Sequence, residues 1–452
     1  MNRVKKVLIG SLLAALALTV LGVVLFAVWR VRLANDVARQ LAAIRAAGLP
    51  ASGEEANRYY AEVPDEENAA VKMAEAFELM RTYGDRRSNQ VARIRLPLRK
   101  DSLSAEQLDL LAGYCAMNSN ALAQAAMAVQ STDGRYLVDL SWGAATPLPH
   151  LRLLKELGLL AEYQSRLDPR ESVAEVLTIL GEARTLDDEP VLISKMVRFA
   201  LIGIASQTLE YRLNQGPFEE AELTRLSESF LKVDKTNQIA NALIGERAMN
   251  IRYFQMSFAE IRQYADQDGD NSSAPVGSAI PGRQPFIFKF SGFFERDLRF
   301  YLQSMQTNIW LSEHRPNDLA LFAKVQERTE AEARHKLFIG SSLFLPAAGN
   351  ACARQTRSSA QIRTAQAALA IERFRLATER LPAQLGDLVP QYLSTVPADP
   401  FDGKPLRYHR LEKGYVVYSV GPDGEDNGGR ERPANAKSSD KTHYDIPFTV
   451  ER

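Results

Sequence analysis

The sequence predicts a mostly α-helical chain with a transmembrane anchor at its start and a small C-terminal α+β domain built on an antiparallel sheet. Three observations predict it: an uncharged apolar run over residues 7–28, a 3.6-residue apolar repeat through the long middle, and a change to turns and alternating strands after Leu381. Apolar residues make up 46% of the 452 and charged residues 24%, which excludes wholesale disorder, a collagen-like fibre and a many-pass transporter. Lys and Arg total 55, as do Asp and Glu, so no global attraction to nucleic acid arises and none is expected as a partner. Cys115 and Cys352 are too few for a disulfide scaffold and read as two independent buried thiols.

Val7 to Val28 is 22 residues without a charge, and as a helix it would reach about 33 Å, the thickness of a bilayer core. Arg3, Lys5 and Lys6 precede it, while Trp29 and Arg30 follow as an interfacial aromatic and a snorkelling cation. Ala15-Leu16-Ala17 offers a signal-peptidase pattern, but the apolar run continues 11 residues beyond it, so residues 1–34 read as a retained anchor. The bilayer is therefore a partner through residues 7–28. Arg30, Arg32, Arg39 and Arg45 offset the cations before the span, so charge alone leaves its orientation open.

Residues 35–265 and 291–358 read as a bundle or short solenoid of antiparallel helical hairpins, with 266–290 as a polar linker between them. Ile193, Met196, Val197, Ala200 and Ile204 fall on one predicted helical stripe, and so do Val173, Val176, Leu177 and Leu180. Asp168-Pro169-Arg170-Glu171 and Ser104-Ala105-Glu106-Gln107 carry helix-start signals, and breaks at 187–190 and 214–217 separate the helices. Arg86, Arg87, Arg93, Arg95, Arg99 and Lys100 form a basic stretch without interleaved aromatics, expected to be a solvated face paired to the acids of 54–78.

No catalytic set stands out. Asp266 to Asn271 begins like an EF-hand loop but lacks the glycine at its sixth place and the glutamate at its twelfth. Ser229-Phe230-Leu231-Lys232 matches S-x-x-K without the accompanying hydrolase motifs. His150, His314, His335, His409 and His443 are scattered, with no metal-binding spacing. The expectation is a non-enzymatic envelope protein of interaction or structural type, binding other envelope proteins. The alternative is an envelope hydrolase whose site assembles only in the fold.

Residues 359–452 form the last unit. A helix over 359–378, with Ala367, Ala370, Ile371 and Phe374 as its inner stripe, is followed by a helical turn at 385–389 and by strands at 406–411, 414–420 and 444–450. The order of a long helix ending Phe374-Arg375, Leu381-Pro382, Asp399-Pro400-Phe401, Gly403-Lys404-Pro405, Tyr408, Tyr418-Ser419, Gly421-Pro422-Asp423-Gly424 and Asp445-Ile446 resembles the globular head of the major pseudopilin of bacterial type II secretion systems. The resemblance covers roughly the last fifth of the chain. It implies a small sheet packed on a long helix, a periplasmic location for body and C-terminus at the inner membrane, and a calcium ion held by Asp423 and Asp445, with Asp426 or Asn427 completing the set. Calcium takes six to eight oxygen ligands, and the 421–429 loop offers acids and no cation. The chain departs from that family at its apolar span, which has no Glu and no short leader before it and does not run into the head. Assembly into a fibre is therefore not expected, and the resemblance adds a second alternative, an accessory component of type II secretion machinery.

Overall fold

The computed structural model describes residues 2–82, 90–97, 99, 102–131, 133–168, 172–256, 291–345, 347–433 and 444–452. The first helix, α1 (Asn2–Ala46), does not stop at residue 34. Its 45 residues extend about 68 Å; the apolar part is exposed along its length, whereas Leu33, Val37 and Ile44 are buried against the protein. The apolar run and the first body helix are thus one rod. The apolar helix is compatible with a single-pass membrane anchor.

The body contains α2 (Gly53–Tyr59), α3 (Ala69–Leu79), α4 (Ala105–Met117), α5 (Ser119–Ala128), α6 (Pro149–Leu167), α7 (Ser172–Arg184), α8 (Leu192–Gln215), α9 (Glu220–Val233) and α10 (Gln238–Gln255). It continues with α11 (Phe293–His314), α12 (Leu319–His335), α13 (Ile339–Phe344) and α14 (Ala347–Thr378). The capping box at Ser104 is formed: its Oγ accepts the Gln107 N–H at 3.2 Å, and Gln107 Oε1 accepts the Ser104 N–H at 3.0 Å. Asp168 instead closes α6 at its C-terminal end, and residues 169–171 lie outside the described residues, as does the EF-hand-like stretch 266–271.

The predicted stripe of α7 is inward, with Val173, Val176 and Leu180 buried. That of α8 is not. Ile193 is 51% exposed and Ala200 is also exposed, while the opposite face, carrying Ser194, Lys195, Arg198, Leu201, Ile202 and Ala205, is buried. Apolar periodicity failed here because the loop before α8 supplies acids and carbonyls that make burial of two cations tolerable.

Two main cores result. One joins α3 to α9 with the middle of α14 and the sheet; the other gathers the far half of α1 with α10, α11 and the start of α14. Cys115 lies in the first and Cys352 in the second, both as free buried thiols, and burial pushes each up to about 12. The C-terminal sheet has three antiparallel strands in the order β1 (Arg407–Arg410), β2 (Tyr415–Ser419), β3 (Ile446–Val450). Tyr415 pairs with Arg410 and Val450, and Ser419 with Ile446. β2 is buried along its whole length, and Tyr415 Oη donates to the Ala368 carbonyl of α14 at 3.2 Å. The open edge of β3 is covered by α8: Thr449 N–H donates to Glu210 Oε1 at 3.0 Å, and Asn214 exchanges hydrogen bonds with Thr449 O and Glu451 N, each at 2.8 Å.

Candidate functional site

The 421–430 loop gathers the four residues expected as calcium ligands. It turns through glycines with positive φ at 421, 424, 428 and 429, which leaves its N–H groups pointing inward to the carboxylates. Asp445 accepts from Asn427 N at 3.3 Å through Oδ1, and from Gly429 N at 2.6 Å and Arg430 N at 3.1 Å through Oδ2. Burial raises its pKa, and those three N–H bonds oppose the rise. Asp426 Oδ1 accepts from Tyr418 Oη at 2.8 Å and Gly428 N at 3.0 Å. Asp423 accepts from Glu425 N at 3.2 Å and from the Asn427 side-chain amide at 3.3 Å.

Asn427 therefore presents donors to these acids, and the carboxylates face N–H and O–H groups. Among the described residues no three His, Cys, Asp or Glu side chains converge as a metal would require. In this arrangement the set does not fit calcium. A cation is already nearby: Arg407 Nη1 lies 3.0 Å from Asp399 Oδ2 and 3.1 Å from Asp402 Oδ1, Nη2 bonds Asp402 Oδ2, and Nε is 3.9 Å from Asp426 Oδ2. The hydrogen bond from Arg407 holds the Asp402 carboxyl below the usual range. Asp399, which is 1% exposed, also accepts from Phe401 N, Ser419 Oγ and Val420 N. Titrating the full chain with calcium is expected to give only heat of dilution. Heat that Asp423→Ala abolishes would place the ion back in this loop.

Behind Asp445, a cavity of about 460 Å³ is lined by parts of α8, α14 and β3, with Gln207, Glu210, Arg357, Gln361 and Arg432 in its wall. Glu210 is 6% exposed, and burial pushes its carboxyl up to about 7 against the pull of Arg99. Arg99 pairs with Glu210 at 3.3 Å and Glu431 at 2.5 Å, not with the acids of 54–78. Packing explains the difference, since the Gln215 side-chain amide of α8 donates to the Arg99 carbonyl at 3.0 Å and keeps this residue beside the C-terminal sheet.

A second convergence surrounds the loop between α7 and α8. His150 Nε2 lies 3.1 and 3.2 Å from the two oxygens of Glu189, and Ser194 Oγ donates to Glu189 at 2.5 Å. The Tyr136 ring stacks on His150 at 4.2 Å. Glu189 is the hub, so Ser194 addresses the acid and not the imidazole, and the group is sealed, with His150 6% and Ser194 0% exposed. That is the geometry of a buried polar latch, not of an activated nucleophile. Next to it Arg198 Nε lies 2.6 Å and Lys235 Nζ 2.7 Å from the Asp187 carboxylate. Lys195 Nζ donates to the Leu186 and Asp187 carbonyls at 2.8 and 2.6 Å, and burial pushes its ammonium down to about 7. An open pocket of about 610 Å³ lies on the outer side of Asp187 and Asp188.

Glu182 on α7 is fully buried, and neither of its side-chain oxygens has a hydrogen-bond partner. Burial first, and Glu175 second, raise its pKa well above the carboxylate range, so folding takes up a proton once the medium is above the ordinary pKa of about 4.5. Its contribution therefore becomes more unfavourable as pH rises from there toward the folded pKa. Glu182→Met is expected to stabilise the chain by about 1–3 kcal/mol, and by more at pH 8 than at pH 5. Urea midpoints of variant and parent in detergent at both pH values check this; an equal difference at both would overturn it.

Sequence reasoning missed Glu182, Lys195 and Glu210, since each sits within a helix read by its apolar stripe, and it read Asp187 and Glu189 only as part of a helix break. The one local signal was the acidic triplet 187–189 just before a helix containing Lys195 and Arg198. Compared with family models, with curated proteins and with solved structures, the chain matches none.

Proposed function

We propose that the chain is a single-pass envelope protein of the bacterial inner membrane, with a periplasmic helical body and a pseudopilin-like head, that works by binding other envelope proteins. The observation that supports this best is α1, whose exposed apolar half passes without a break into a half packed in the body. A tether of this kind fixes the body's height and orientation relative to a bilayer, which suits a scaffold that meets partners in the same membrane. The head adds to the reading: α14 contributes to both main cores, so body and head share one helix and a load on one is transmitted to the other. By resemblance, components of secretion machinery are the first partners to seek.

Two experiments test the proposal. A periplasm-dependent reporter fused after Arg452 should be active, and one active only in cytosol would invert the topology. Cross-linking in intact cells followed by detergent extraction should return reproducible envelope proteins; a profile indistinguishable from that of an unrelated single-pass anchor would overturn the interaction reading.

A further inference from the structure

The end of the body nearest the apolar half of α1 carries Leu337 on the turn between α12 and α13 and Ile339 at the start of α13, with Leu343 behind them. We infer that this end is a lipid-contact surface seated in the headgroup layer of the bilayer that α1 crosses. The inference rests on reading residues 7–28 as a span.

The geometry starts at the exit of that span. Trp29 and Arg30 continue the helix directly to Leu33, which is already 3% exposed, so no flexible linker lets the body lift away. Arg30 Nη2 lies 2.7 Å from Glu295 in the first turn of α11, and a side chain on Gly292 would collide with the Arg30 guanidinium. A second pair, Asp36 with Arg299 at 3.5 Å, comes later along both helices. α11 therefore starts at the level of Arg30 and rises parallel to α1.

α12 returns after the turn at 315–318 and delivers its end to the same level. Phe338 lies 6.4 Å from Phe293 and 5.4 Å from Phe300, and the Arg296 guanidinium is 5.7 Å from its ring. Asp297 fixes the start of α13 by accepting the Gly340 and Ser341 N–H groups at 2.8 and 3.1 Å. The 336–340 turn thus packs on the first two turns of α11, within about 10 Å of Arg30 along the helix axis.

At this level Leu337 is 74% exposed, Ile339 44% and Leu343 45%. Leu337 also has φ +57°, a left-handed conformation uncommon for leucine, so backbone strain accompanies an apolar side chain that the protein itself does not bury. Arg296 and Lys336 flank the turn, their cationic groups lying over the Phe338 and Phe300 rings. Apolar tips bordered by cations, held beside a helix where it leaves a bilayer, suit the boundary between acyl chains and phosphates. Continuity with the span selects lipid over a protein partner for this face.

The test uses the full chain in vesicles of pure phospholipid, with one cysteine at a time introduced and labelled with an environment-sensitive fluorophore; Cys115 and Cys352 are buried. Leu337→Cys and Ile339→Cys should give blue-shifted emission and several-fold stronger quenching by spin-labelled lipid than Trp310→Cys, which lies about 25 Å further along α11. Leu343→Cys should fall between. Leu16→Cys reports the span. If the label at 16 is quenched by lipid while those at 337 and 339 match 310, the lipid-contact surface is overturned and the anchor stands. If the label at 16 is unquenched, the anchor reading fails and the inference with it. Protection of 337 in native membranes but not in pure lipid would assign the face to a protein and overturn the inference.

Discussion

Asp187→Ala is expected to destabilise the body by about 3–5 kcal/mol, the cost of leaving a buried charge without its partner. Arg198 is 1% exposed, its Nε lies 2.6 Å from Asp187, and its Nη2 donates to the Val233 carbonyl at 2.9 Å. Removing the carboxylate leaves that guanidinium in place with one neutral acceptor, and Lys235 loses its partner at the same stroke. Lys235 is exposed and regains water, so its share of the loss is small. Arg198 cannot, and its desolvation dominates. Urea unfolding in detergent, followed by circular dichroism, measures the change. Replacing Asp187 and Arg198 together with apolar residues should recover much of the loss; a double variant as unstable as Asp187→Ala would show that the pair is not the cause.

Gly245→Ala should cost about 3 kcal/mol, although alanine is the better helix former by roughly 1 kcal/mol. Gly245 lies in the interior of α10 at the point where that helix crosses the chain at Pro190, and an added Cβ would overlap the Pro190 carbonyl oxygen. A backbone atom cannot swing aside as a side chain tip can. Relief would push α10 off the α7–α8 loop and disturb the Leu192 N–H bond to Glu246 at 3.1 Å and the Asn241 bond to the Asp188 carbonyl at 3.3 Å. The same urea experiment reads the loss; unchanged or raised stability would mean that the crossing is looser than this geometry.

Both predictions depend on contacts that no local pattern marked, although Asp187 itself lies in the acidic break read at 187–190. The apolar stripe Ile193, Met196, Val197, Ala200 and Ile204 pointed to one face of α8, whereas Lys195 and Arg198 on the other face went inward. Periodicity counts a buried cation as an error, because it contains no information about the carboxylate eleven residues earlier that meets Arg198 or the backbone carbonyls eight and nine residues earlier that meet Lys195. The candidate ligands Asp423, Asp426, Asn427 and Asp445 did come together, since glycine turns and strand order are local properties. Their bonding did not follow from the residue types: a carboxylate faces a metal or a row of N–H groups according to how the loop backbone closes.

By itself the sequence determined the elements: the apolar first helix, the helical middle, the capping box at Ser104 and the three strands with their turns, all of which depend on residues within a few positions of one another. Only the tertiary structure decided that α1 runs unbroken into the body, that α14 serves both main cores, and which charges are buried together. The physical reason is that desolvation and pairing energies depend on distances between segments far apart in the chain, such as Arg99 with Glu210 and Glu431, and those distances exist only once the helices have packed.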